Sequence, residues 1–131
     1  MELPLKHPTT LFVRVIGLSG KTRELRAVLS TGSTVCLLPV KDAIQLGYTI
    51  SYNPLLDEGE KIVAATANGV IETSVVTLQE VRVGHLAVKN VKASLSDLPM
   101  PSGIEMILGA NFLSNFKITL DYKKQRIMIE E

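Results

Sequence analysis

Apolar and polar positions alternate in short runs along most of this chain, and turn residues cut each run before it grows long. Leu11-Phe12-Val13-Arg14-Val15-Ile16 is β-rich, and Gly17-Leu18-Ser19-Gly20 reads as a turn. Residues 22–29 alternate well enough to be the hairpin partner of that first run. A small polar turn follows at residues 30–34, and apolar residues resume at Val35-Cys36-Leu37-Leu38. Pro39 then precedes Val40-Lys41-Asp42-Ala43-Ile44-Gln45-Leu46, and Gly47 follows it. Proline at the front and glycine past the end predict a short helix.

The second half repeats this plan loosely. Residues 62–66 and 70–81 flank Ala67-Asn68-Gly69. Asn-Gly between β-branched runs predicts a hairpin, because both residues tolerate positive φ. Gly84-His85 marks another turn, and residues 86–95 read as a further strand. Residues 96–105 carry Pro99 and Pro101 and read as a loop. Ile107-Leu108-Gly109 ends in a glycine before a short helix over 110–115, and residues 116–120 and 126–129 form a closing hairpin. Many short strands and two short helices predict a mostly-β, closed or folded-over sheet. No linker or low-complexity tract breaks the chain, so residues 1–131 read as a single domain.

Composition adjusts this picture in a few places. Hydrophobic residues make up 46% and charged residues 21%, which supports a buried core under a charged surface. Only 5% are aromatic and tryptophan is absent, so the core should be aliphatic. The net charge of +1, with acids and bases interspersed, gives no electrostatic case for nucleic acid or an anionic membrane. Charges and turn residues interrupt every apolar run before it could span a bilayer. Met1-Glu2-Leu3-Pro4 lacks the pattern of a signal peptide, and the one cysteine allows no intrachain disulfide. These features fit a cytoplasmic protein. Cys36 lies in an apolar run and reads as a buried, inert thiol.

Two segments carry the candidate chemistry: Ser30-Thr31-Gly32-Ser33-Thr34, and Ile107-Leu108-Gly109-Ala110-Asn111-Phe112-Leu113. Ser-Thr-Gly-Ser alone is an ordinary turn. With their flanks, the two segments resemble the single-domain, retropepsin-like aspartic peptidases, whose turn reads Asp-Thr-Gly-Ala/Ser-Thr/Ser. The resemblance implies an acid-protease fold over about residues 11–129. It implies half a site per chain, completed in a homodimer on a two-fold axis. Thr31 would cross-link the two turns, and Gly32 would supply backbone freedom. Ala67-Asn68-Gly69 would be the tip of a flap closing over an extended polypeptide substrate. Ile107-Leu108-Gly109 would pack under the active-site turn. Glu2-Leu3-Pro4-Leu5 and Arg126-Ile127-Met128-Ile129 would be candidates for a sheet shared between subunits. The family needs no cofactor.

The departure is Ser30, which stands at the family's aspartate position. Paired aspartates share one proton, so that one activates water while the other polarises the peptide carbonyl. Serine can do neither at neutral pH. The chain is therefore expected to be inactive as an aspartic endopeptidase, either through engineered replacement of the acid or as a natural pseudo-protease. The alternative from another class is a non-catalytic dimerisation or peptide-binding module on the same fold. Other groups look unremarkable: Asp42, Asp57 and Glu58 read as solvated, Asp97 as a loop polar group, and Asp121 as a turn residue. His7 and His85 are isolated, so no zinc spacing exists and Ser30 has no evident base. No glycine loop is placed to hold a phosphate.

Overall fold

The computed structural model describes residues 1–49, 61–66, 69–96, 100 and 103–131, with side chains of 61–73 left aside. Ten strands and two short helices carry the described chain. The first strands are β1 (Glu2–Pro4), β2 (Thr10–Ile16), β3 (Thr22–Leu29) and β4 (Cys36–Pro39), followed by helix α1 (Val40–Gln45). Then come β5 (Lys61–Thr66), β6 (Gly69–Val83), β7 (Leu86–Ser96), β8 (Met106–Leu108) and helix α2 (Ala110–Leu113). The hairpin β9 (Lys117–Asp121) and β10 (Arg126–Glu130) ends the chain. The fold is mostly β, as the alternation requires.

Strands β2-β3-β8-β4-β7-β6 pair in that order, and β6 pairs back onto β2 through Val15↔Val81. The circuit is closed, so those strands leave no open edge along the paired stretch. Two of its joints are parallel: β3 with β8 and β4 with β7. The core fills the inside. Val13 and Val15 of β2, Leu25 and Ala27 of β3, and Leu38, Leu78 and Met106 are buried, while Phe12 and Arg14 point outward. Among the described residues, Phe112 is the one aromatic among the largest fully buried side chains, the others being apolar apart from Asp42.

The inward phase of β7 changes part-way along. Leu86 is buried at the start, but Val91, Ala93 and Leu95 are buried further on, so the facing set moves by one residue. The change falls at Asn90, whose φ of 56° is left-handed, and the pair opposite Gln79 is missing from an otherwise continuous register. A one-residue shift in phase turns a strand's other face inward.

Turn chemistry follows the sequence closely. Gly47 takes φ +96° just after α1, and Gly84 takes φ +58° in the two-residue turn between β6 and β7. Asp121 Oδ1 accepts from the Lys124 N–H at 2.9 Å, an aspartate-stabilised turn.

Three expectations change. The terminal segments do form a sheet, but with each other: β1 pairs with β10 and β10 with β9, in one chain. Among the described residues β9 is an edge of that sheet. Asp42 is not solvated. It is 1% exposed in the first turn of α1, with Oδ1 3.0 Å from Arg23 Nη2 of β3. Burial pushes its carboxyl above the ordinary aspartate range, and the Arg23 charge only partly offsets this. The third change is one of register. The β5–β6 hairpin forms, but Thr66 already pairs with Gly69, so Gly69 belongs to the strand. Ala67 and Asn68 lie outside the described residues, as do Asp57, Glu58 and Asp97.

Candidate active site

Strand β3 delivers Ser30 to the end of the barrel. Val28 and Leu29 pair in parallel with Ile107 and Leu108, and the Ser30 N–H donates to the Leu108 carbonyl at 3.0 Å. The turn is thus held by main chain, independent of what side chain stands at position 30. Ser30 is half-buried, while Thr31 and Gly32 are exposed. Among the described residues, neither hydroxyl of Ser30 and Thr31 makes a side-chain hydrogen bond.

The rest of the turn is fastened to the start of α2. Ala110 N–H donates to the Ser33 carbonyl at 2.7 Å, and Asn111 N–H to the Thr34 carbonyl at 3.1 Å. Ser33 Oγ donates to the Val35 carbonyl at 2.7 Å. Gly109 permits this approach: a Cβ there would lie 2.3 Å from the Val35 carbonyl oxygen and 2.9 Å from that of Ser33. Its φ of −98° is unstrained, so the demand is for space alone. Ile107-Leu108-Gly109 therefore does lie against the turn.

Sequence reasoning missed the group that locks this arrangement. Asn111 Oδ1 accepts from the Cys36 N–H at 2.9 Å, and Nδ2 donates to the Lys92 carbonyl at 2.7 Å. One amide side chain ties α2 to both β4 and β7. An asparagine in the first turn of a short helix carries no sequence signal for such a role. Cys36 is buried, and burial raises its thiol above the ordinary range, with the Gly109 N–H as a weaker opposing influence. It is no nucleophile in this state.

Gly32 behaves differently from expectation. Its φ is not left-handed, and a Cβ built on it meets nothing within 4 Å. The turn within this chain does not need a glycine there.

Beside Thr31 lies an open apolar depression of about 360 Å³, lined among others by Leu29, Leu113, Phe116, Ile118 and Leu120. It joins the turn, α2 and β9 into one surface. Among the described residues no group of three or more His, Cys, Asp or Glu side chains is placed to hold a metal ion.

This geometry has counterparts among known proteins. Residues 17–115 match the family described as gag-polyprotein putative aspartyl protease. The chain belongs to that family. No curated protein sequence matches it. Among solved structures, it is similar to a retropepsin-like aspartic protease from Rickettsia conorii, with a TM-score of 0.65 and 18% identity over 98% of this chain and 88% of that one. It is also similar to the EIAV protease complexed with the inhibitor HBY-793, with a TM-score of 0.55 and 19% identity over 81% of this chain and 85% of that one. At such identities the likeness is one of fold: a retropepsin-like aspartic protease fold, with Ser30 at the head of its turn.

Proposed function

We propose that this chain is one half of a homodimeric retropepsin-like site that binds extended polypeptide and, with Ser30 in place of the acid, does not cleave it. The observation that carries the reading is the Ser30 turn itself. Its main-chain support from Leu108 and α2 is complete without a carboxylate, and its exposed face presents Thr31 and Gly32. A lone turn is half of a two-fold site.

Two features support pairing through this surface. The apolar depression beside Thr31 is open to solvent, and β9, whose Ile118 and Leu120 line it, is a sheet edge among the described residues. Apolar surface next to an unpaired edge is what a second copy would cover. Gly32 fits the same reading, because a side chain there has room within its own subunit and would crowd only a partner or a ligand.

Substrate would lie as an added strand across the paired turns, under the β5–β6 hairpins. In this reading Ala67, Asn68 and Gly69 touch the bound peptide. Two Ser30 hydroxyls could hold a water between them but could not deprotonate it. A cytoplasmic setting belongs to the reading and is supported by the free, buried Cys36. Among the described residues no helix is long and apolar enough to cross a membrane.

The test is Ser30→Asp, assayed beside the parent protein on a mixed peptide library from mildly acidic to neutral pH. Cleavage by the aspartate form alone supports the reading. A folded, dimeric aspartate form that binds peptides and cuts none would instead make the chain a binding module.

A further inference from the structure

We propose that a second hollow, away from the Ser30 turn, is a binding site for an apolar carboxylate. It lies between β1 and the outer face of β2 and β3 and measures about 300 Å³. Its walls are Met1, Leu3, Leu11, Phe12 and Val83, and its rim carries Lys6 and Arg26.

The arginines differ in how their charge is met. Four other arginines are each paired: Arg14 with Glu24 at 2.9 Å, Arg23 with Asp42 at 3.0 Å, Arg82 with Glu80 at 3.3 Å, and Arg126 with Glu2 at 2.9 Å. Arg14 and Arg82 stand directly opposite across β2 and β6, so each needs its glutamate. Arg26 and Lys6 have no carboxylate partner among the described residues. The carboxylate on Arg26, that of Glu105, accepts from its main-chain N–H at 3.0 Å and not from the guanidinium.

The guanidinium is nevertheless aimed. Its Nε and Nη2 each lie 3.3 Å from the hydroxyl of the buried Thr10. That leaves the remaining N–H groups of a five-donor fork for an anion. The wall opposite is fixed as well. Met1 exchanges hydrogen bonds with Ile129 at both its amino group, 2.9 Å, and its carbonyl, 2.8 Å. Phe12, 70% exposed on β2, faces Arg26 across the β2–β3 pair and offers an aromatic wall at the mouth.

An apolar cup whose lip carries two cations with no carboxylate partner among the described residues suits a molecule with an apolar body and one carboxylate. A neutral apolar ligand would desolvate Arg26 without a counter-charge. An inorganic anion would leave the apolar walls uncovered. The volume is at the lower end for small-molecule sites, so the body is a single large side chain or a short acyl chain. Two sources share this chemistry: a free aliphatic acid, and a polypeptide ending in an apolar residue with a free α-carboxylate.

The probes are octanoate, octanol, the peptide acetyl-Gly-Ser-Gly-Leu with a free C-terminus, and its C-terminal amide. Each is titrated into the full chain, with binding followed by calorimetry and by amide shifts at Thr10, Phe12 and Arg26. Saturable binding of octanoate, the free-acid peptide or both is expected, weakening as salt rises, with octanol and the amide at least about tenfold weaker. Octanoate alone would identify a free acid, and the peptide alone a chain terminus. Arg26→Gln should raise the Kd about tenfold or more, and so should Lys6→Gln, an exposed change that leaves the fold untouched. Failure of both carboxylates to bind, equal binding of octanol and octanoate, or an unchanged Kd in Lys6→Gln and in a folded Arg26→Gln would overturn the proposal.

Discussion

Replacing Gly109 with alanine places a methyl group against main chain that cannot swing aside. The new Cβ would sit 2.3 Å from the Val35 carbonyl oxygen, 2.4 Å from the Val35 carbonyl carbon and 2.9 Å from the Ser33 oxygen. To reach ordinary contact, the α2 segment and the Ser33–Val35 segment must part by about 1 Å, which overpacks the site at a cost of about 1–3 kcal/mol. Parting them breaks the hydrogen bonds from Ala110 to Ser33 and from Asn111 to Thr34. Those add about 1 kcal/mol each, for about 3–5 kcal/mol in all. This is a large share of a typical domain's stability of about 5–15 kcal/mol. The assay is urea unfolding followed by far-UV circular dichroism, since the chain has no tryptophan. Gly32→Ala is the control: its Cβ meets open space within the subunit, so at protein concentrations low enough to keep both forms monomeric it should change stability by no more than about 0.5 kcal/mol. A Gly109→Ala protein within about 1 kcal/mol of the parent would refute the argument that space at Gly109 holds the turn.

Three further outcomes follow from named contacts. Asn111→Ala should cost about 2–4 kcal/mol in the same unfolding assay, chiefly because the buried Cys36 N–H loses its acceptor; a change below about 1 kcal/mol would show that α2 is held otherwise. Asp42 binds its proton more tightly folded than unfolded, so stability should fall as pH rises from the ordinary aspartate range through the raised value. Asp42→Asn should remove that slope from a pH series of unfolding curves, and an identical slope in both proteins would contradict the assignment. Sedimentation at micromolar concentration should find the parent dimeric and Ile118→Glu monomeric with unchanged circular dichroism; a parent that is monomeric throughout would contradict pairing through β9.

The sequence made the hairpins legible because their signals are local. Alternation in β2 and β3, and glycines at 47 and 84 with positive φ, need no tertiary knowledge. The short strands were harder. β8 has three residues and pairs in parallel with β3, a partner more than seventy positions away, so its neighbours in sequence say little about it. β1 is equally short and exists through β10. Asp42 was misread because its partner, Arg23, lies on a different element, and a six-residue helix is too short for its buried face to show as a period. At the site, the turn and Ile107-Leu108-Gly109 were readable as motifs. The Asn111 clasp was not, since its two acceptor and donor groups are main chain and leave no trace in residue identity. The unpaired state of Arg26 and Lys6 likewise depends on which carboxylates the fold gives to other arginines.

The central claim is that each chain supplies one turn to a site made by two. Mixing Ser30→Asp protein with the parent, under conditions where subunits exchange freely, tests this directly through the rate of peptide cleavage at constant total protein. If both turns must carry the acid, only aspartate–aspartate dimers cut, and the rate falls as the square of the aspartate fraction, to about one quarter in an equal mixture. A rate that falls in simple proportion, to about one half, would mean that each chain carries a complete site and would contradict the account.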